Sequence, residues 1–486
     1  MNGAIGQVEL PAPRVLWTQR VALYFFIALL IWAPFPLGSA VAWGTGLFAM
    51  LVAICCALWI YATPYEPSRR RIQKRSSLLA LGLLIAVIVW SLAQSLPILP
   101  VAWANPLWKM TGEILDINIA QTVSINPWRT QNAALELAAV GVAGFMAYSY
   151  ARNDRLAPIL FNGVILIGAT YVIYAYALAF FGLSQSHIIY GVKFPPEFIS
   201  GPFMLHNSFA TYCGVAAMAS SCRLIAEGSN SVVVDRGLRR YLISLANFVF
   251  GRDAWLVAST LLLYSGIIAS ASRAGIFASF GALFTMIIVA LFVSRRSRGG
   301  GGGRRRIISA VAIVAIMATI LFFLLYNSDS LTLRTKELLD SGNIDEVRLA
   351  LWAAAKRMIS SSPWQGLGLG TFQDAYPLYA TSSLAFVMDR AHSDYLELAA
   401  GLGVPAALTL LASVLLLAAQ CLVGVFIRRR NRFYALAAFG ASVLVALHSA
   451  VDFSLQIPAV ALMYVTLLGI GVAQSQHRGR VNAVTK

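Results

Sequence analysis

Apolar stretches of bilayer length recur along the chain at residues 21–40, 41–62, 78–95, 133–150, 158–182 and 206–224, then at 254–270, 274–293, 307–326, 395–427, 433–451 and 457–473. Hydrocarbon offers the backbone no hydrogen-bond partner, so each stretch must satisfy its own N–H and C=O groups as a helix or belong to a closed barrel. Continuous apolar runs lack the alternation of barrel strands. The expected fold is therefore all-α: a polytopic integral membrane protein of about twelve transmembrane helices with a helical extracytoplasmic cap. The first stretch carries no cleavage site and is read as a span. The tenth is long enough to begin as a tilted or surface helix. No repeat of fixed period is present.

The net charge of +17 invites a nucleic-acid reading, and its distribution argues against one. Threading the spans from a cytoplasmic N-terminus puts 27 of the 37 Lys and Arg residues on one side, with both termini. The same side holds six acids and the other fourteen, so the two faces carry 27 − 6 = +21 and 10 − 14 = −4. That asymmetry is the positive-inside rule, and it predicts an inner-membrane, multi-pass protein with cytoplasmic termini and no nucleic-acid partner. Cys55, Cys56, Cys213, Cys222 and Cys421 all fall within predicted spans, which implies no disulfide framework. The basic run 295–306, with its five glycines, reads as a flexible cytoplasmic linker.

Chemistry is expected in the outer segments 97–132, 183–205 and above all 327–394. Within the last, NIDEVRLALWAAAKRMI opens with Asn343 and Glu346 at capping-box spacing and sets Val347, Leu351, Ala354 and Met358 on one face. This amphipathic helix should lie on the membrane surface or over the bundle and present Arg348. The turn PWQGLGLG breaks it and lacks the Lys and Ser/Thr of a phosphate-binding loop. Next comes RAHSDYLE, where His392 precedes Asp394 and Glu397 at a membrane boundary, placing the imidazole where a carboxylate can orient its ring. Arg273 sits in a short SASRAG connection; His448 and Asp452 form an i, i+4 pair at the outer end of the eleventh span; Asn207 opens the sixth.

Four segments, GPFMLHNSFATY, SASRAG, VRLALWAAAKRMISSSPWQGLGLGTF and AHSDYLELAAGLGVPA, with HSAVDFSLQIPA trailing, resemble in content and order the O-antigen ligase and polymerase family of bacterial membrane glycosyltransferases. They divide the chain into N-terminal helices (1–205), a family-like core (206–458, including the loop 327–394) and a last helix with its tail (459–486). The resemblance implies an undecaprenyl-diphosphate-linked glycan as donor, a glycan or lipid A core hydroxyl as acceptor, and membrane lipids as surroundings. It assigns His392 as the essential histidine and Arg273 and Arg348 as ligands of the donor diphosphate. Asp394, Glu397, Asn207, His448 and Asp452 are supporting neighbours. His206 departs from the asparagine the family often carries at that point.

The chemistry is coherent with those assignments. A sugar hydroxyl needs a general base to take its proton as it attacks, and His392 is the candidate. The departing diphosphate needs permanent positive charge, which guanidinium groups supply without a metal or other cofactor. Displacement by the acceptor through an oxocarbenium-like state inverts the anomeric carbon. A polymerase that extends a lipid-linked chain is the rival within the family. A transporter of lipid-linked glycan is the rival outside it, and transporters usually carry internal repeats.

Overall fold

In a computed structural model, the described residues are 13–63, 75–191, 199–231, 238–296, 343–381, 389–428 and 430–476. Among them there is no strand. The chain runs through α1 (Pro13–Trp32), α2 (Ala42–Ala62), α3 (Arg75–Gln94), α4 (Pro106–Leu115), α5 (Pro127–Ala151), α6 (Ala157–Phe180), α7 (Gln185–Tyr190), α8 (His206–Ser231), α9 (Leu238–Phe250), α10 (Ala254–Ala269) and α11 (Arg273–Arg296). It continues through α12 (Asn343–Ser361), α13 (Phe372–Tyr379), α14 (Asp394–Leu402), α15 (Val404–Ile427), α16 (Arg432–His448) and α17 (Pro458–Gln476).

Among the described residues, eight of these helices are long and apolar enough to cross a membrane, and α1, α10 and α16 contribute shorter apolar segments. Together they account for every expected span except 307–326, which lies outside the described residues, as do most of the basic linker and residues 327–342 of the large outer segment. The chain is a polytopic, all-helical membrane protein.

Burial sorts the spans into layers. The apolar windows of α8 and α17 are 89% and 94% buried, whereas those of α2 and α3 are only 22% and 17% buried. Helices α8 and α17 therefore form the axis: α17 packs on α5, α15 and α16, and α8 on α6, α10, α11 and α16. Close approach at the axis depends on missing side chains, because a Cβ on Gly471 would lie 2.2 Å from the Cβ of Ala438 and one on Gly469 2.6 Å from the carbonyl of Gly144. Peripheral helices turn apolar stripes outward instead. Phe277, Phe284 and Phe292 on α11, and Leu408 and Leu415 on α15, recur at seven- or eight-residue spacing and are all exposed, as a lipid-facing surface requires.

Over one end of the axis sits the helical cap. Helix α12 buries Leu351, Ala354, Ala355 and Met358 against Leu367, Phe372, Ala375, Ala391 and Ala400, with Val347 packed alongside. The expected apolar face thus meets protein, over the bundle. The side chains of Asn343 and Glu346, and with them the expected capping box, lie outside the described residues.

The tenth expected span, 395–427, differs from a single continuous helix. It breaks at Gly403 (φ +80) into α14 and α15, with Pro405 in the first turn of α15. The glycine-rich turn causes the break. Leu367 and Gly368 donate their N–H groups to the carbonyls of Ala400 and Gly401 at 3.0 and 2.9 Å, and Val404 donates to Pro363 at 2.8 Å. Gly366 (φ +69) approaches so closely that a Cβ there would stand 2.3 Å from the Gly401 carbonyl oxygen. Gln94 Nε2 on α3 adds bonds to the carbonyls of Gln365 and Gly401. The PWQGLGLG turn is a backbone clasp that closes the C-terminal end of α14 and leaves its N-terminal end, with His392 just before it, facing the centre of the cap.

Candidate functional site

The site is assembled from three stretches: the RAHSD turn before α14, the turn after α16, and the start of α8. His392 takes a left-handed backbone (φ +51), a conformation an L-residue adopts only when its surroundings enforce it. The amides on either side are tied down. Ala391 N–H donates to Glu397 Oε2 at 2.8 Å, and Asp394 N–H donates to the carbonyls of Ser449 and Asp452 at 2.9 and 3.1 Å. From the cap, Trp352 Nε1 points to the His392 carbonyl at 3.4 Å.

The carboxylate facing His392 is Asp452, which corrects the expectation that Asp394 or Glu397, its near neighbours in sequence, would orient the ring. His392 Nδ1 stands 3.7 Å from Asp452 Oδ1, and the ring packs edge-on to Phe453 with centroids 4.9 Å apart. Asp394 is engaged elsewhere: Ser449 Oγ donates to its Oδ2 at 2.7 Å and Gln456 Nε2 to its Oδ1 at 3.0 Å. Glu397 pairs with Arg390 Nη1 at 3.1 Å, and Arg390 also donates to Gln456 and lies over the Phe453 ring. These bonds stitch the turn before α14 to the turn after α16.

Asp452 lies between two imidazoles. His448, 1% exposed, holds its Nε2 3.9 Å from Asp452 Oδ2, and its Nδ1 meets Thr211 Oγ1 of α8 at 3.1 Å and Ser454 Oγ at 3.3 Å. The pair was expected on one helix; α16 instead ends at His448, and Asp452 sits in the following turn, where its own Oδ1 accepts the Phe453 amide at 2.8 Å. Burial acts against ionisation of Asp452, but His392, His448 and the Phe453 N–H together outweigh it and hold the carboxyl below its ordinary value. Asp394 goes the other way. Burial pushes it up to about 7, aided by the negative neighbours Glu397 and Asp452 and opposed by the Ser449 and Gln456 hydrogen bonds. The site thus contains a carboxylate kept charged beside His392 and a second acid poised near neutrality behind it.

Of the two expected arginines, Arg348 is the one whose charge reaches the site. Arg348 lies on α12 one turn before Trp352, half-buried, and its charge acts on both His206 and His448. Arg273 is the exposed first residue of α11. Its turn is tied to the start of α8, since Ser272 Oγ donates to Asn207 Oδ1 at 2.7 Å and His206 Nδ1 meets the Ser270 carbonyl at 2.9 Å. Asn207 therefore shapes the Arg273 turn. Among the described residues no three His, Cys, Asp or Glu side chains converge as a metal-ligand group.

Sequence reasoning missed Arg390, Ser449 and Gln456, although RAHSDYLE and HSAVDFSLQIPA contain them. Their signal was polar residues at bilayer boundaries in both segments, which the two apolar helices α15 and α16 between them kept from being read as partners.

No curated protein matches the chain. Residues 258–411, which include Arg273, Arg348, His392, Asp394 and Glu397, match the family model described as O-antigen ligase. This bears out the family resemblance over that segment: the chain is a multi-span membrane protein in which residues 258–411 match an O-antigen ligase model, which points to a glycosyltransferase-type activity.

Proposed function

We propose that the protein transfers a glycan from undecaprenyl diphosphate to a sugar hydroxyl, on lipid A core or another acceptor, at the periplasmic face of the inner membrane, with His392 as base. The observation that carries this reading is the pairing of a partly exposed His392, held in a strained backbone within the segment that matches the O-antigen ligase model, with the buried carboxylate of Asp452 from the turn after α16. With Nδ1–H turned toward Asp452, the Nε2 lone pair is free for the acceptor. The acceptor oxygen bonds to the anomeric carbon as its proton passes to Nε2. The bond from that carbon to the diphosphate oxygen breaks with its electron pair on the diphosphate, and the anomeric configuration inverts. Asp452 stabilises the imidazolium that forms, while Arg273 and Arg348 carry the positive charge the leaving diphosphate needs, so no metal is required. Termini on the cytoplasmic side agree with the charge asymmetry of the loops.

The test is transfer from a purified undecaprenyl-diphosphate glycan in proteoliposomes, with lipid A core and lipid-linked glycan offered separately. Wild type should transfer in the presence of chelator and His392→Ala should not. Transfer only to the lipid-linked acceptor would identify a polymerase. Normal transfer by the folded His392→Ala variant, or strict metal dependence, would overturn the mechanism.

A further inference from the structure

The opposite end of the bundle holds a second polar site. Arg223 lies 17 residues beyond His206 on α8, about 25 Å along the helix axis. There a cavity of about 760 Å³ opens between α6, α8 and the start of α10. Its charged lining is balanced: Arg223 and Arg252 against Glu227 and Asp253. The ion pair between Arg223 and Glu227 is a long one. Arg223 Nε and Glu227 Oε1 stand 3.9 Å apart, and the Nε is buried without a hydrogen bond while the guanidinium lies over the Trp255 ring at 5.2 Å. Asn162 Oδ1, also in the lining, is a buried acceptor with no hydrogen bond. An unfilled buried donor and acceptor cost free energy that a ligand offering both partners recovers. One turn further along α6, Leu166 lines the same cavity and is 48% exposed, so one wall is apolar and open toward the lipid-facing side.

We infer that this cavity binds a zwitterionic phospholipid whose head carries a primary ammonium, of the phosphatidylethanolamine class. The phosphate takes the Arg223 and Arg252 guanidinium groups, the ammonium N–H groups take Glu227, Asp253 and the Asn162 carbonyl, and an acyl chain runs over Leu166. Phosphatidylcholine has no N–H to offer, phosphatidylglycerol has no cation for the carboxylates, and soluble phosphoethanolamine makes no use of Leu166.

Native mass spectrometry of the delipidated full chain, titrated in turn with phosphatidylethanolamine, phosphatidylcholine, phosphatidylglycerol and phosphoethanolamine, tests this. The expected result is a saturable single adduct with phosphatidylethanolamine, at least about tenfold weaker with the other two lipids and undisturbed by millimolar phosphoethanolamine. The pair Arg223→Gln and Arg252→Gln should weaken that adduct about tenfold. Leu166→Trp, which keeps every polar group and obstructs the apolar wall, should weaken it similarly and so serves if the arginine variants misfold. Equal binding of the three lipids, or an adduct indifferent to the folded variants, would overturn the inference; displacement by phosphoethanolamine would assign the site to a soluble headgroup instead.

Discussion

Asp452→Asn isolates the electrostatic part of the proposed mechanism, because it removes a charge and little else. Asn is nearly isosteric, its amide oxygen can still accept the Phe453 N–H now bound at 2.8 Å, and the fold around the turn is retained. What disappears is the attraction between the carboxylate and the imidazolium formed as the acceptor loses its proton. At 3.7 Å this amounts to about 4 kcal/mol for an effective dielectric near 20 and about 1 kcal/mol in the aqueous limit. His392 is 28% exposed, so the working value lies between, at roughly 2–3 kcal/mol. Neutral histidine in the ground state gains little of it. The loss should therefore fall on kcat, by about 30- to 150-fold, with KM for donor and acceptor nearly unchanged. The assay is initial-rate glycan transfer in proteoliposomes at saturating donor, with thermal unfolding as a folding control. A folded variant within about threefold of wild-type kcat, or a defect confined to KM, would refute the view that Asp452 stabilises the charged base.

Asp394, whose carboxyl sits near 7 when folded and at its ordinary value when unfolded, favours the folded state most fully at low pH, and that contribution is lost as pH rises from about 4 through 7. Asp394→Asn mimics the protonated acid, so its melting temperature in detergent should lose this slope and exceed wild type at pH 8; an unchanged slope would contradict the assignment. Gly366→Ala should destabilise by about 1–3 kcal/mol, since φ +69 and a Cβ 2.3 Å from the Gly401 carbonyl both oppose it, and should be detected as a lower melting temperature with loss of the clasp. Arg348→Ala, which removes the half-buried cation whose charge reaches the site, should lower kcat by at least about tenfold with lipid-diphosphate donors, and Arg348→Lys should recover only part because it loses the bidentate fork.

The spans were legible in the sequence because the demand on them is local: a backbone in hydrocarbon must close its own hydrogen bonds, whatever it packs against. The same locality made α12 legible through its apolar face, and the cluster around His392 through its ionisable residues at a membrane boundary. The order of spans by burial was legible only in part: α8 and α17, at mean hydropathy 1.3 and 1.5, are less hydrophobic than α2 and α3 at 2.1 and 2.3, yet α5 at 1.3 is only 33% buried; in a bilayer both protein and lipid welcome apolar side chains, and small-residue contacts such as Gly471 on Ala438 complete the axis. The partner of His392 was not legible. Sequence proximity pointed to Asp394 and Glu397, yet Ser449, Gln456 and Arg390 occupy those two, and the turn after α16 brings Asp452 from sixty residues away. Sequence by itself determined an all-helical membrane protein and the residue types its chemistry needs. Tertiary structure alone decided which acid faces the imidazole, because side-chain direction there is set by the left-handed turn at His392 and by hydrogen bonds to a distant loop.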